Sequence, residues 1–202
     1  MSTFNTKDYY FNQAKAQGFN ARSVYKLQEM DASLKLVKQS SLILDLGCAP
    51  GSWLQYVDQK LNKQGAALGI DLSPVNTAFK NNIKCLQDDV FLLTKDKLAD
   101  YMSDLTANFT YFDVILSDMA PKTSGIRHLD QTRSYDLAKK VFELSLELLK
   151  PKGSMIIKIF AGGEVNDLIK EIKPHFIQIK QMRPPSVRSC SKEFYLVALS
   201  KK

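Results

Sequence analysis

The sequence predicts an α/β fold, a mostly parallel sheet with helices on both faces, and three observations predict it. Short apolar runs rich in β-branched residues recur along the chain. Longer amphipathic stretches separate most of them, as crossovers between parallel strands require. The last two runs are joined only by "RPPSVRSCSKE", which is too short for a crossover helix and makes the final strand antiparallel. The chain has 202 residues, enough for one well-buried domain over 1–202, and no linker, repeat or low-complexity segment divides it.

The elements follow in order. "GFNARSVYKLQEMD" (18–31) predicts a helix over 20–30, capped by Asn20, with Val24 and Leu27 turned to the body. "SLILDLG" (41–47) is the first strand, 52–62 a helix, and "AALGIDL" (66–72) the second strand. "IKCLQDD" (83–89) is the third strand, 92–103 a helix, and "FDVILSD" (112–118) the fourth strand. "MAPKTSGIRHLD" (119–130) is a long polar loop of the kind that carries function. A helix over 131–149, a strand "SMIIKIF" (154–160) and a helix over 163–173 come next. The strands "FIQIKQM" (176–182) and "FYLVAL" (194–199) complete a seven-stranded sheet.

Hydrophobic residues make up 45% and charged residues 24%, the composition of a soluble globular protein. The formal net charge of +7 favours a polyanionic partner, nucleic acid ahead of an acidic membrane surface. Residues 1–38 carry a net +3 and residues 180–202 a net +5, which leaves the middle at −1. If the fold joins the two basic stretches, they make one basic surface. Cys48, Cys85 and Cys190 show no CxxC spacing, and His128 and His175 are the only histidines. No zinc site, other metal site or disulfide framework follows, which suits a reducing compartment. "MSTFNTKDYYFNQ" lacks the apolar core of a signal peptide, and no apolar run is long enough for a bilayer. The expected location is the cytoplasm.

"LILDLGCAPGSW" (42–53) leaves a strand and opens a helix. Gly47 and Gly51 let the backbone turn tightly and approach a ligand closely. Asp71, twenty residues past Gly51 at the end of the second strand, can accept hydrogen bonds from ribose hydroxyls. A dinucleotide site wants GxGxxG, whereas Gly47 and Gly51 are followed by Ser52 and Trp53, and Pro50 intrudes. NAD is therefore disfavoured. Trp53 lies against the loop and helps to shape its pocket.

Lys158 sits inside the apolar run "SMIIKIF", where an ammonium is costly to bury without a partner. Its strand ends beside that of Asp118, at the sheet edge where ligands bind in doubly wound folds. Glu193 opens the antiparallel last strand and so starts at the same edge. Lys26, on the first helix, is a fourth charged group within reach.

The motif "DLGCAPGSW" (45–53) resembles the first motif of S-adenosylmethionine-dependent methyltransferases, and the set Lys26, Asp118, Lys158, Glu193 resembles the K-D-K-E tetrad of RNA ribose 2′-O-methyltransferases. With "AKAQGFNARSVYKLQEM" (14–30), "LSDMAPKTSG" (116–125), "KGSMIIKIF" (152–160) and "RPPSVRSCSKEFYLVA" (183–198), the chain resembles the FtsJ family over almost its whole length. Cys48 stands where that family commonly has alanine, and "QDDV" (87–90) replaces a glycine–aspartate pair. The resemblance implies a Rossmann-like class I fold and S-adenosylmethionine as cofactor, held by Gly47, Pro50, Gly51, Trp53, Asp71, Asp89 and Asp118. It implies methylation of a uridine of 23S rRNA in the assembled 50S subunit, by a monomeric enzyme that needs no metal or membrane. Lys158 is then the proton acceptor, and Lys26 and Glu193 orient the base and the hydroxyl.

Lys15, Arg22, Lys26, Arg183, Arg188 and Lys192 are candidate RNA contacts, with Lys7 and Lys180 as further phosphate partners. Residues 1–38 would form a basic RNA-contact segment packed on the domain. Their aromatics Tyr9, Tyr10, Phe11, Phe19 and Tyr25 suit base stacking or burial in a core. Two rivals stay open at this point, a tRNA 2′-O-methyltransferase with the same catalytic residues and an RNA-binding protein without activity. A small-molecule methyltransferase fits the basic chain ends less well.

Overall fold

All seven expected strands form and join in one sheet. The structure, a computed structural model, describes residues 6–107 and 109–202, with side chains from Tyr9 onward. The strands are β1 (Leu42–Leu46), β2 (Ala66–Asp71), β3 (Asn82–Gln87), β4 (Phe112–Ser117), β5 (Leu149–Phe160), β6 (Phe176–Met182) and β7 (Glu193–Lys201). The helices are α1 (Thr6–Ala16), α2 (Val24–Leu34), α3 (Ser52–Lys60), α4 (Lys95–Ser103), α5 (Arg127–Leu148) and α6 (Val165–Ile172). The strand order is β3-β2-β1-β4-β5-β7-β6. β1 to β5 run parallel, and β7 runs antiparallel between β5 and β6.

Alternation along the strands divides the core into two layers. Leu44, Leu46, Leu68, Ile115, Met155 and Ile157 face α4, α5 and α6. Ile43, Ala67, Val114, Leu116, Ile156 and Val197 face α1, α2 and α3. Consecutive strands leave β1 in one direction and return through β4 in the other. The crevice at this reversal, outside the carboxyl ends of β1 and β4, is where doubly wound sheets bind ligands.

Three elements start four or more residues from expectation, each for a local reason, and one helix was not expected. The first expected helix starts at Val24 rather than 20, and Asn20 is not its cap: its side chain is committed elsewhere, as described below. α1 forms without a clean apolar stripe; Ala14 is buried while Tyr9 and Phe11 are more than half exposed. α5 starts at Arg127, inside the expected loop, because Asp130 in its first turn accepts the Ser124 and Gly125 N–H groups and closes that loop early. β5 starts at Leu149, since Lys150 to Gly153, which reads as a turn, is carried as an irregularity within the strand, and its pairing with β4 shifts register there. Among the described residues, no helix is long and apolar enough to cross a membrane.

Candidate active site

The loop after β1 owes its shape to two glycines. Gly47 has φ 79°, and a Cβ there would stand 2.5 Å from Met119 Cγ and 2.9 Å from Met119 N. The chain leaving β4 therefore passes directly against the chain leaving β1. Gly51 has φ 98°, and a Cβ there would meet Val75 at 2.8 Å. Asn20 clamps the loop from outside, with Nδ2 donating to Pro50 O at 2.6 Å and to Thr77 Oγ1 at 2.7 Å. Gln55 joins the same clamp by accepting the Asn20 N–H at 2.8 Å.

A cleft of about 360 Å³ opens above this loop. Gly47, Ala49, Asp71, Asp89, Asp118 and Met119 are among its walls. Asp71 is fixed by two backbone donors, Ala49 N at 3.0 Å and Ser73 N at 2.8 Å. The "QDDV" stretch favours Asp89 over its neighbour Asp88, and the surroundings of the two differ. Asp88 is engaged by the Lys97 ammonium at 2.5 Å, the Tyr101 hydroxyl at 3.1 Å and the Asp89 N–H at 2.8 Å. The Lys97 contact is the main reason its carboxyl is held below its usual pKa. Among the described residues Asp89 accepts only the Phe91 N–H, at 3.0 Å on Oδ1, which leaves Oδ2 open to the cleft.

Pro50, Gly51 and Trp53 do not line this cleft; they lie behind it. Trp53 is 2% exposed, its Nε1 donates to Ser23 O at 2.8 Å, and its ring stands 5.9 Å from that of Tyr195. It thus braces α2 against β7 instead of facing a ligand. Asp45, in the middle of β1, is fully buried, and neither carboxylate oxygen has a hydrogen-bond partner among the described residues. Burial, helped by Asp118, holds this carboxyl protonated well above its usual pKa. Cys48 and Cys85, unrelated in sequence, share a hydrogen bond nearby that raises the Cys48 thiol and lowers Cys85.

The four charged residues of the tetrad meet at the lip of the cleft. Lys158 Nζ lies 3.1 Å from Asp118 Oδ1 and also donates to the Asp118 carbonyl. Lys26 Nζ lies 2.5 Å from Glu193 Oε1 and 3.9 Å from Asp118 Oδ1. All four side chains are at most 16% exposed, so each charge has an opposite charge as its substitute for water. The fold explains the meeting. Lys158 is in register with Tyr195 on the sheet face covered by α2, and Glu193 is opposite Phe160 at the carboxyl edge. The apolar run that raised the question of a buried lysine therefore ends in a carboxylate partner.

Tyr195 was missed from sequence. It is fully buried, its hydroxyl donates to Asp118 Oδ1 at 2.7 Å, and the Lys26 ammonium stands 5.9 Å over its ring. Burial first, and the Asp118 carboxylate second, push its phenol pKa well up, so it stays a donor. The signal was present: Tyr195 is two residues past Glu193, on the same strand face.

The candidate RNA contacts divide by environment. Arg22 donates to Ser186 O at 2.6 Å, and Glu29 accepts the Ser186 N–H and hydroxyl at 2.9 and 2.7 Å. These bonds fasten α2 to the 183–192 loop, so the two basic stretches do form one surface. Arg183 is turned into that loop, donating to the carbonyls of Arg188, Ser189 and Ser191. Burial, and next the neighbouring Arg188, lower the Arg22 pKa. Lys15, Arg188, Lys192 and Lys180 are exposed, as are His128 and His175. Phe19 and Tyr25 are buried, whereas Tyr9 and Phe11 are exposed. The side chain of Lys7 lies outside the described residues.

Comparison with known proteins agrees with this geometry. The family model of FtsJ-like methyltransferases matches residues 19–201. A ribosomal RNA large subunit methyltransferase E from Desulfatibacillum aliphaticivorans is 41% identical over 97% of this chain and 91% of its own. The protein of that name from Bdellovibrio bacteriovorus is 40% identical over 99% of this chain and 100% of its own. A solved structure from Plasmodium falciparum, provisionally described as a ribosomal RNA methyltransferase, covers 91% of this chain and 98% of its own with a TM-score of 0.76. At 24% identity that likeness speaks for the Rossmann-like fold alone. A family model spanning nearly the whole chain and relatives aligned end to end lead to one conclusion: this chain belongs to the FtsJ-like methyltransferase family.

Proposed function

We propose that this protein transfers the methyl group of S-adenosylmethionine to a ribose 2′-hydroxyl of large-subunit ribosomal RNA, at a uridine, with the assembled 50S subunit as substrate. The observation that carries the reading is the Lys26–Asp118–Lys158–Glu193 cluster at the lip of the cleft. The cleft fits the cofactor. Asp71 is held in place by two N–H groups and keeps lone pairs for ribose hydroxyls. Asp89 and the apolar Val90 and Phe91 suit a purine with an exocyclic amine. Gly47 and Ala49 let backbone approach, and Asp118 sets a carboxylate where a sulfonium needs one. Pro50, Gly51 and Trp53 act from behind, by fixing the loop.

When bound, the cofactor supplies an electrophilic methyl on a cationic sulfur. The rest is done by this chain. Lys158, neutral at the moment of attack, accepts the proton of the 2′-hydroxyl at Nζ. Asp118, with its Oδ1 shared by Lys158 and Tyr195, fixes where Nζ points. Lys26 and Glu193 form the opposite wall and hold the ribose. Alignment of hydroxyl and methyl in a site largely shut to water contributes much of the rate. Arg22 and Arg188, on the basic surface joined through Ser186, guide the RNA backbone toward the cluster, with Lys15, Arg183 and Lys192 around them. The proposed enzyme is a cytoplasmic monomer in which 1–202 act as one domain.

The test is transfer of labelled methyl to three acceptors: unmodified large subunits, naked large-subunit rRNA and tRNA. Ribose methylation at one uridine of the subunit, with little transfer to tRNA, is the expected result. Equal or better transfer to tRNA, or label on a base, defeats the reading.

A further inference from the structure

At the opposite edge of the sheet, where the parallel strands begin, lies a second cleft of about 380 Å³. It opens between the chain that follows α2, the starts of β4 and β5, and the end of β7. Lys35, Lys38, Lys150 and Lys152 line it, and all four are exposed. Asp113 is the one acid among its walls. That carboxylate is already engaged, by the Lys150 ammonium and by the Leu42 N–H at 2.7 Å. Three ammonium groups therefore face the cleft without a carboxylate of their own.

Two buried hydroxyls add donors. Ser41 Oγ accepts the Lys38 N–H and Ser154 Oγ the Ser200 N–H, each at 3.2 Å. Both serines are about 5% exposed or less, and among the described residues no acceptor takes either hydroxyl proton. The backbone gives a third, independent sign. Lys35, Lys152 and Ser200, with φ of 52°, 65° and 57°, are the described non-glycine residues in the left-handed region. All three line this cleft. Glycine would adopt that conformation without strain, so keeping a side chain at each position is a cost, and such costs gather at functional sites.

Compact ammonium charges with hydroxyl donors, beside one acid that is already engaged, fit phosphate oxygens. We propose that this cleft is a second RNA contact, holding backbone phosphates of the substrate about 17 Å from the tetrad, the distance along β4 from Asp113, beside Lys150, to Asp118, beside Lys158, at about 3.3 Å per residue. The proposal rests on the RNA-methylating reading above and extends it. A single-stranded fragment bound at the tetrad does not reach the far edge of the sheet unless it is long; a folded RNA wrapped on the domain does. The cleft thus favours folded rRNA over short oligonucleotides.

The test compares the full-length parent with a variant carrying Lys35→Gln, Lys38→Gln and Lys152→Gln, leaving Lys150 to its partner. The control carries Lys60→Gln, Lys80→Gln and Lys173→Gln, exposed lysines outside both clefts with the same charge change. Each phosphate contact contributes roughly 0.7–0.9 to the slope of log affinity against log salt. The cleft variant is expected to flatten that slope by about 2 for unmodified large subunits, with short-oligonucleotide binding and S-adenosylmethionine affinity unchanged. The control variant is expected to change the slope by less than half as much. Lys152→Gly is a second check: it relieves the backbone, so it melts no lower than the parent, yet it still loses one contact. Equal slopes in the two triple variants overturn the proposal. So does tight binding of free tripolyphosphate that the cleft variant loses while the RNA slope stays put, because the cleft then serves a small phosphate compound. A parent that methylates no RNA would instead defeat the function proposed above, and the two failures are told apart in one set of assays.

Discussion

Replacing Lys158 by methionine keeps most of the buried stem and removes the amine. In the native site that amine bonds the Asp118 carbonyl and stands 3.1 Å from Asp118 Oδ1, with the side chain 7% exposed. Asp118 does not become an orphan in the variant, because the Tyr195 hydroxyl at 2.7 Å and the Lys26 ammonium at 3.9 Å remain. The loss of folding stability is then about 1.5–3 kcal/mol, the range for one hydrogen bond that involves a charged group. On the role proposed for Lys158, the chemical step then loses its proton acceptor, worth about 10²–10⁴ in rate, or about 3–5 kcal/mol of barrier. S-adenosylmethionine affinity should change less than about threefold, since Asp71, Asp89 and Asp118 stay in place. The assay is single-turnover transfer of labelled methyl to large subunits, with donor affinity read by calorimetry. Lys158→Arg serves as a companion that keeps charge without a usable base, and it is expected to be equally slow. A methionine variant within tenfold of the parent, or one whose whole deficit is donor binding, would refute the assigned role.

Three other outcomes follow from the geometry. Asn20→Ala removes two side-chain bonds to the loop, to Pro50 O and Thr77 Oγ1, and at about 1–1.5 kcal/mol should weaken donor binding about tenfold in calorimetry while sparing the fold. Gly47→Ala forces a methyl to within 2.5 Å of Met119 Cγ at φ 79°, and overpacking with backbone strain should destabilise the protein by about 2–4 kcal/mol in urea titrations. Asp45 gives a pH signature. Its folded carboxyl is raised well above the ordinary value, so above about pH 4 the native state holds a proton that the unfolded chain releases. The stability this carboxyl contributes is complete below that pH and falls by up to about 1.4 kcal/mol per unit as pH rises toward the folded value. Asp45→Asn, which cannot ionise, should flatten this decline; parallel stability-versus-pH curves for the two proteins would show that Asp45 is not the source.

The sequence pattern carried the sheet well because buried parallel strands read as apolar runs and their ends point to one edge. That is how Asp118, Lys158 and Glu193 could be placed together before their contacts were known. What could not be read were the uses to which tertiary contacts put polar side chains. Asn20 looks like a helix cap and instead holds Pro50. Trp53 sits in the loop motif but faces Ser23 and Tyr195. Asp88 and Asp89 are indistinguishable by type, and only Lys97 and Tyr101, supplied by the next helix, separate them. The basic cleft was hidden for a different reason. Lys35, Lys38, Lys150 and Lys152 come from two distant segments, and Lys150-Pro151-Lys152-Gly153 reads as an ordinary turn.

The position of β7 bears on how the molecule is made. Its nine residues slot between two strands translated before it and bring Glu193 and Tyr195 with them. A nascent chain that has emerged only to residue 190 leaves β5 with one edge bare of hydrogen-bond partners and β6 with no strand to pair with, and Glu193 and Tyr195 are still inside the ribosome. The proposed site therefore cannot assemble until β7 has left the ribosome.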